Sequence, residues 1–220
     1  MHYPDWNTFR ELAREYQLIP VYRRLVSDTL TPVTAFHKID TGGSACLFES
    51  VIGGEKVGRY SFLAADPFLE IAARETQVSI SEAGRTRQFT AADPLQVLRQ
   101  RLSEPKAALL PGLPPFGGGA VGYAGYDVVR YTEDLPHAPP NDLGLPDLAF
   151  GFYHRMIVFD NIDKTMYVVV TARVDGEADA ERAYREAQRR GDETVTQLTA
   201  TPVRLHATDI HSRGEPTIAY

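Results

Sequence analysis

Cysteine is almost absent from the sequence: among 220 residues there is one, Cys46. A single cysteine cannot form an internal disulfide, and its apolar neighbours Ala45 and Leu47 favour a buried structural thiol over a nucleophile. Zinc-type spacing is also absent, because His206 and His211, which lie close together, have no cysteine near them. Spacing alone therefore predicts no metal site and no catalytic residue in this chain.

Basic residues and long apolar runs are scarce as well. Lysine and arginine total 23 against 29 acidic residues, and the formal charge of −6 argues against nucleic acid as a partner. No apolar run approaches the roughly 18 residues that a membrane span needs, so no membrane association is expected. The N-terminal stretch mixes Asp5, Arg10 and Glu11 with its apolar residues and lacks the pattern of a secretory signal. We therefore expect a cytoplasmic protein.

What the sequence does contain is a core-forming share of hydrophobic residues, 43%, arranged in short periodic segments. The spacing of Phe9, Ala13 and Tyr16 predicts an N-terminal helix that Thr8 and Glu11 begin as a capping box. Short β-rich runs follow, and they predict strands at residues 33–39, 45–52, 57–64, 68–73 and 77–81. Because little chain separates these runs, the strands should pair antiparallel.

The second half of the chain alternates helix and strand patterns. Asp93 and Pro94 mark the start of a helix whose apolar face carries Leu95, Leu98 and Leu102. A strand is predicted at residues 120–126, one long hairpin at 148–160 and 165–173, a helix at 178–188, and a polar tail beyond Gly191. These patterns predict an α+β protein with mostly antiparallel sheet layers and about three helices.

The triple glycine at Gly117, Gly118 and Gly119 superficially resembles a phosphate-binding loop. No Gly-Lys-Ser/Thr follows it, and the next residues look like a strand rather than the start of a helix. Glycines inside a strand more often permit close approach of a neighbouring backbone, and Gly122 and Gly125 fit that role. We interpret all five glycines as structural.

Two adjacent polar residues, Glu49 and Ser50, interrupt the apolar run at 45–52. Because neighbouring side chains in a strand point to opposite faces, at least one of them is expected on a buried side. A buried carboxylate needs a partner, which could be the ammonium group of a ligand or a local cation, Lys56 or Arg59. The residues alone leave both possibilities open.

Arg59, Tyr60 and Ser61 place further polar groups in the run at 57–64. The planar guanidinium of arginine suits carboxylate binding, but an arginine that leaves an edge strand to reach solvent is more common, and we expect that arrangement here. Asp127 and Arg130 are interpreted as surface charges, because their separation matches no metal-ligand pattern.

Several of these segments, in the same order, resemble the N-terminal region of the anthranilate synthase component I family. The resemblance runs from about residue 16 to about residue 172. The segments that carry it are Ile19-Pro20-Val21-Tyr22, Thr31-Pro32-Val33, Leu47-Phe48-Glu49-Ser50-Val51, Gly58-Arg59-Tyr60-Ser61-Phe62 and Pro115-Phe116 with residues 117–127. It implies that residues 1–220 are a regulatory, tryptophan-binding N-terminal domain, and that the C-terminal chorismate-binding catalytic domain is absent from this chain.

The resemblance also implies an activity and its partners. Members of the family convert chorismate and ammonia to anthranilate and pyruvate; a separate glutamine amidotransferase subunit supplies the ammonia, Mg²⁺ binds the chorismate carboxylate, and tryptophan inhibits. The implied L-tryptophan site includes Leu47, Glu49 and Ser50, with Phe48 in place of the family's usual leucine. A carboxylate such as Glu49 suits the ligand's ammonium, and Leu47 offers its indole an apolar wall. Catalytic groups and Mg²⁺ are implied for the C-terminal region, so no catalytic residue, no metal and no activity are expected of this chain alone.

Three alternatives remain open from the sequence. Aminodeoxychorismate synthase component I, of the folate pathway, has a similar N-terminal region but more often an acidic residue at the position of Ser61. The chain could also be a non-catalytic tryptophan-binding module, or a structural half-domain that binds nothing by itself.

Overall fold

The computed structural model describes residues 1–49, 58–137 and 140–200, which form two antiparallel sheets and four α-helices. The strands are β1 (Leu18–Val26), β2 (Ala45–Phe48), β3 (Tyr60–Ala65), β4 (Leu69–Arg74), β5 (Gln77–Glu82), β6 (Arg85–Thr90), β7 (Gly119–Ala124), β8 (Leu148–Tyr153), β9 (Arg155–Asp160) and β10 (Thr165–Arg173). The helices are α1 (Trp6–Leu12), α2 (Pro32–Ile39), α3 (Pro94–Ser103) and α4 (Ala180–Ala200), with short 3₁₀ helices at Tyr126–Tyr131 and Glu177–Asp179.

Each sheet has five described strands. The order is β1-β10-β9-β3-β2 in the first sheet and β6-β5-β4-β8-β7 in the second. All strand pairs in both sheets run antiparallel. The predicted α+β class and antiparallel pairing are confirmed, and the described chain has four α-helices where about three were expected.

We predicted that the apolar stretch at residues 148–160 forms one arm of a hairpin, and the structure shows that it does not. It forms β8 and β9, which are separated by His154 and belong to different sheets: β8 pairs with β4 and β7, and β9 pairs with β3 and β10. Both strands are largely buried, so the hydrophobic pattern runs straight through the change of sheet and conceals it. Only the β9–β10 part of the predicted hairpin is correct.

Helix α2 occupies the segment that we predicted as the first strand. Thr31 caps it by accepting a backbone N–H at 3.1 Å, and Pro32 takes the first helical position. Ala35 and Ile39, one turn apart, are both buried. The helical spacing of these two residues and the Thr-Pro start therefore outweigh the β-branched composition of the segment.

The other helices match the predictions except at their ends. The carboxylate of Asp5 caps α1 by accepting the N–H of Thr8 at 2.9 Å, so the helix begins before the predicted cap. Asp93 caps α3 as predicted, but Leu102 is 51% exposed, so the buried face of α3 ends earlier than expected. Helix α4 continues through Gly191 to Ala200, where we predicted a polar tail.

Two strands escaped the sequence analysis. β1 contains Pro20, which ordinarily argues against a strand but is tolerated here because β1 lies at the edge of the first sheet. β6 carries Arg85 and Arg87 and is mostly exposed, so it lacks the alternating apolar pattern of a half-buried strand. The signal available in the sequence for β6 was Gly84, which forms the two-residue turn before it with Ala83; both residues have positive φ.

The helices cover the sheets and create separate parts of the core. Phe9 of α1 and Tyr184 of α4 pack on β1 and β10, and α2 packs with the end of α4 over Leu63 of β3. On the second sheet, Leu98 of α3 packs over Ile71 and its neighbours. No helix in the described parts of the chain combines the length and apolar character that crossing a membrane requires.

Candidate functional site

The residues predicted to bind tryptophan lie at the end of β2, which is an edge strand of the first sheet. Among the described strands β2 pairs with β3 alone, and this pairing puts Leu47 opposite Leu63 and Phe48 opposite Phe62. Leu47 is half-buried and packs into the cluster formed with α2 and α4. Phe48, on the opposite face, is 52% exposed. Leu47 therefore belongs to the apolar core between the first sheet and helices α2 and α4.

Glu49 directly follows the last residue of β2 and is exposed. The expectation that one member of the Glu49–Ser50 pair is buried is therefore not met by Glu49. Ser50 lies outside the described residues, as does the rest of the strand predicted after it. The structure thus brings Leu47 and Glu49 together at one end of the β2–β3 hairpin and leaves the position of Ser50 a prediction.

Arg59 stands at the other end of the 50–57 segment and is held by a buried carboxylate. Its Nη2 lies 2.6 Å from Oδ2 of Asp160, and its Nε lies 3.0 Å from the same oxygen. Asp160 is 1% exposed and also accepts the backbone N–H groups of Ile162 and Asp163, each at 3.1 Å. Our expectation of a solvent-directed arginine is wrong, because a buried acid with four donors around it offers a stronger interaction than water.

The ion pair is charged on both sides at neutral pH. Desolvation by itself would raise the pKa of Asp160, but the hydrogen bonds from Arg59 and from the two backbone N–H groups outweigh it and hold that pKa below its ordinary value. The hydrogen bond to Asp160 in turn raises the pKa of Arg59. The pair is therefore a permanent structural link between β3 and β9.

Asn161, the first residue of the β9–β10 turn, adds two further hydrogen bonds to this link. Its backbone N–H donates to the carbonyl of Arg59 at 2.8 Å, and its Nδ2 donates to Oγ of Ser61, which is 1% exposed, at 3.1 Å. Sequence reasoning missed both Asp160 and Asn161. The signal available for Asp160 was an acid at the end of an apolar run, the same signal that drew attention to Glu49. Together these contacts fix the start of β3 against the end of β9.

A separate cavity of about 720 Å³ lies where the chain passes from the second sheet to the first. Phe68 and His154 stack in its wall, with ring centroids 3.6 Å apart and ring planes 10° apart. Burial lowers the pKa of His154 to about 4, helped by Arg190 and Arg173, and raises the pKa of Tyr153 to about 12. Both side chains are therefore uncharged at neutral pH, which suits a mainly apolar cavity. Leu47 and Glu49 do not line it.

Other candidate chemistry is limited in the described part of the chain. There, no group of three or more His, Cys, Asp or Glu side chains could hold a metal ion. Asp127 and Arg130 form an ion pair at 2.7 Å.

Cys46 is half-buried, and burial raises the pKa of its thiol, which leaves it protonated at neutral pH. Gly122 has the structural role expected of it, since a Cβ there would lie 2.0 Å from the Ala149 carbonyl oxygen.

Comparison with known proteins identifies the family to which the chain belongs. A family model described as chorismate binding enzyme matches residues 44–214. The chain belongs to the chorismate-binding enzyme family. The matched region begins directly before β2 and takes in the β2–β3 hairpin, the Arg59–Asp160 pair and all of the second sheet.

Relatives of this chain include anthranilate synthase component 1 of Acetivibrio thermocellus, 35% identical over 85% of this chain and 37% of its own length. Anthranilate synthase component 1 of Acinetobacter calcoaceticus is 40% identical over 87% of this chain and 39% of its own length. A crystal structure of anthranilate synthase component I from Streptococcus pneumoniae TIGR4 matches with a TM-score of 0.51 and 26% identity, over 82% of this chain and 37% of that one. The resemblance seen in the sequence is confirmed, and the chain spans about two fifths of the length of these relatives.

Proposed function

We propose that this chain is the N-terminal regulatory domain of anthranilate synthase component I, and that a catalytic chorismate-binding domain follows it in a longer polypeptide. One observation carries the proposal. Relatives named anthranilate synthase component 1 match 85–87% of this chain at 35–40% identity, while the chain covers only 37–39% of them. Because these relatives carry the anthranilate synthase name, the folate-pathway alternative is not favoured.

The proposed reaction of the longer protein converts chorismate and ammonia to anthranilate and pyruvate, as the first step toward tryptophan. A glutamine amidotransferase subunit would supply the ammonia. The role proposed for the present chain is to carry the inhibitor site, and the longer protein would bind chorismate through its catalytic domain.

The family also implies Mg²⁺, and the described residues do not fit it. Their His, Cys, Asp and Glu side chains form no group of three or more that could hold a metal ion. Asp160, the buried carboxylate, already has its oxygens occupied by Arg59 and two backbone N–H groups. The proposed location of Mg²⁺ is the catalytic domain, as the family resemblance implies, and no catalytic residue is proposed for this chain.

The proposed regulatory ligand is L-tryptophan, bound by Leu47, Glu49 and Ser50. Support comes from the end of β2, where the half-buried Leu47 offers an apolar surface and Glu49 directs an exposed carboxylate from the same end of the strand. Tryptophan has a group that suits each residue: its ammonium can pair with the carboxylate of Glu49, and its indole can pack against Leu47. A hydroxyl at Ser50 would add a hydrogen-bond partner for the ligand's carboxylate.

Substitution at Ser50 tests this site in the longer protein. We expect tryptophan to inhibit anthranilate formation by the wild type, and Ser50→Phe to form anthranilate without that inhibition because the phenyl ring fills the pocket. Ser103→Phe is the matched control, since Ser103 is exposed at the end of α3, and it should remain as sensitive to tryptophan as the wild type. Unchanged inhibition of Ser50→Phe would show that Ser50 lies outside the tryptophan site.

A second assay tests the division of labour between the domains. The purified 220-residue chain, given chorismate, ammonium and Mg²⁺, should form no anthranilate, as followed by anthranilate fluorescence. The longer protein should form it under the same conditions. Turnover by the 220-residue chain would contradict the assignment of all catalytic groups to the second domain.

A further inference from the structure

The two described residues of the proposed tryptophan site are held in place in different ways. Leu47 packs against the buried cluster that contains Ile39 and Leu63, so the apolar core fixes its position. Glu49 is exposed and directly follows the last residue of β2, so packing in the core does not hold it. Among the described strands, β2 pairs with β3 alone. The position of Glu49 therefore depends on how firmly the start of β3 is held.

The register between β2 and β3 connects Glu49 with Ser61. The last pair of this ladder joins Phe48 to Phe62. Continued by one position, the same register would set Glu49 opposite Ser61. Residues directly opposite each other in an antiparallel pair have Cα atoms about 4.5–5.5 Å apart, and they interact across the two strands. A displacement of Ser61 is therefore expected to displace Glu49 as well.

Ser61 and the residues before it are held by the β9–β10 turn. Nδ2 of Asn161 donates to Oγ of Ser61, which is 1% exposed, at 3.1 Å, and lies 3.5 Å from the carbonyl oxygen of Gly58. The backbone N–H of Asn161 donates to the carbonyl of Arg59 at 2.8 Å. The ion pair between Arg59 and Asp160 joins the same two parts of the chain. Asn161 therefore contacts both the start of β3 and the residues that lead into it.

We propose that Asn161 is a positioning residue for inhibition by tryptophan: it holds Ser61 and the start of β3, and thereby places the carboxylate of Glu49 for the ammonium of the ligand. The inference rests on the proposed function, because it requires tryptophan to bind at the end of β2. Asn161 acts through β3 and does not itself contact the ligand. A site whose supporting contacts are loosened loses affinity even when its contact residues are unchanged.

The Asn161→Ala variant of the longer protein tests the proposal. It removes the side-chain donor to Ser61 and keeps the backbone N–H that binds the carbonyl of Arg59. We expect the inhibition constant for tryptophan to rise at least about tenfold, because a small displacement of a binding group costs much of its contribution. The kcat and the KM for chorismate should change less than about twofold, since the groups that bind chorismate are proposed to lie in the other domain. Anthranilate fluorescence at several tryptophan concentrations measures all three quantities.

Ser61→Ala removes the acceptor of the same hydrogen bond by deleting a single hydroxyl, and it tests the proposal even if Asn161→Ala fails to fold. Its inhibition constant for tryptophan should rise at least about fivefold. The double variant should lie within about twofold of Asn161→Ala alone, because both substitutions remove one shared contact and their effects do not add.

Two control variants separate positioning from a general loss of stability. Leu98→Ala leaves a cavity in the core of the second sheet and should destabilise the protein, yet it should leave the inhibition constant for tryptophan within about twofold of the wild type. Asp163→Ala changes the same turn as Asn161, but its side chain is 45% exposed and Asp160 remains to hold Arg59. This variant should also stay within about twofold of the wild type.

The outcomes distinguish this inference from the proposed function. If tryptophan inhibits the wild type, Asn161→Ala and Ser61→Ala equally, the inference is wrong and the proposed function stands. An equal rise of the inhibition constant in Leu98→Ala, or an equal rise of the KM for chorismate in Asn161→Ala, would also overturn it, because the effect would then not be specific to the inhibitor site. A wild type that forms anthranilate but is not inhibited by tryptophan refutes the proposed inhibitor site, and the inference with it.

Discussion

The first and second sheets differ in the burial of their strands and in whether their polar groups find partners inside the fold. In the first sheet, the last five residues of β9 and most of β10 are buried, and the buried polar side chains Ser61 and Asp160 find partners inside the fold. In the second sheet burial fades outward from β4 and β8: β6 is largely exposed, and the second half of β7 is exposed. A sheet covered on both faces must satisfy its polar groups internally, whereas an open sheet can leave them to water or to another strand.

Removing the buried carboxylate should have the largest effect on stability. Asp160→Ala is expected to lower the free energy of unfolding by about 3 kcal/mol, because it leaves Arg59 and two backbone N–H groups without their acceptor. Asp163→Ala is the control; that side chain also contacts Arg59 but is 45% exposed, and its loss should cost less than about 1 kcal/mol. Urea unfolding of the 220-residue chain measures both. Equal losses would show that burial of Asp160 is not what gives the pair its weight.

His154, at the junction of the two sheets, should make stability depend on pH. Burial, with the charges of Arg190 and Arg173, lowers its pKa from the model-peptide value of 6.5 to about 4 in the folded protein. Between these values the unfolded chain binds a proton that the folded chain does not, so the free energy of unfolding should fall as pH drops from 6.5 to 4, by about 2 kcal/mol. Above about pH 7.5, where neither state binds this proton, the contribution is constant.

The His154→Gln variant isolates this contribution. The wild type should lose more stability than the variant between pH 6.5 and 4, as measured by urea unfolding across that range. The lowered pKa of Asp160 acts at more acidic pH and should affect wild type and variant alike. His37→Gln, which replaces an exposed histidine of α2, should follow the wild type. Parallel curves for wild type and His154→Gln would mean that the junction tolerates a charged imidazole.

Gly122 tests how closely β7 and β8 approach in the second sheet. A Cβ at this position would lie 2.0 Å from the Ala149 carbonyl oxygen and 2.6 Å from the Cα of Phe150, so backbone would have to move. Gly122→Ala should lower the free energy of unfolding by about 1–3 kcal/mol, read from the shift in the urea midpoint. Gly117→Ala is the matched control, because its nearest neighbour is a valine methyl at an ordinary 3.5 Å. A loss confined to Gly117→Ala would contradict the close approach of the two strands.

Sequence patterns identified most strands of both sheets but not how the chain moves between them. β4 and β5 follow from alternating apolar residues within short runs. The change of sheet at His154 does not, because β8 and β9 are both buried and the hydrophobic pattern has no break there. β6 was missed for the opposite reason: an arginine-bearing edge strand has no buried face to impose alternation.

The candidate site shows the same limit. The sequence pointed to Glu49 and Arg59 as polar residues inside apolar runs, and the family resemblance added Leu47. The structure places all three at the ends of β2 and β3. The sequence alone could not identify the partner of Arg59, because Asp160 lies 101 residues away along the chain. Pairing across that distance is set by the β3–β9 register, which local patterns do not encode.

The smallest expected effect on stability comes from removing an ion pair in α4, outside both sheets, whose N···O distance is similar to that of the Arg59–Asp160 pair. Glu186 of α4 lies 2.7 Å from Arg189 and from Arg190, and these contacts lower its pKa to about 2. Its geometry resembles that of the Arg59–Asp160 pair, but water surrounds its partners, so Glu186→Gln should change the free energy of unfolding by less than about 1 kcal/mol, and by less still in high salt. Urea unfolding at low and high salt measures this. A loss as large as that of Asp160→Ala would mean that contact length, rather than burial, decides what an arginine–carboxylate pair contributes in this fold.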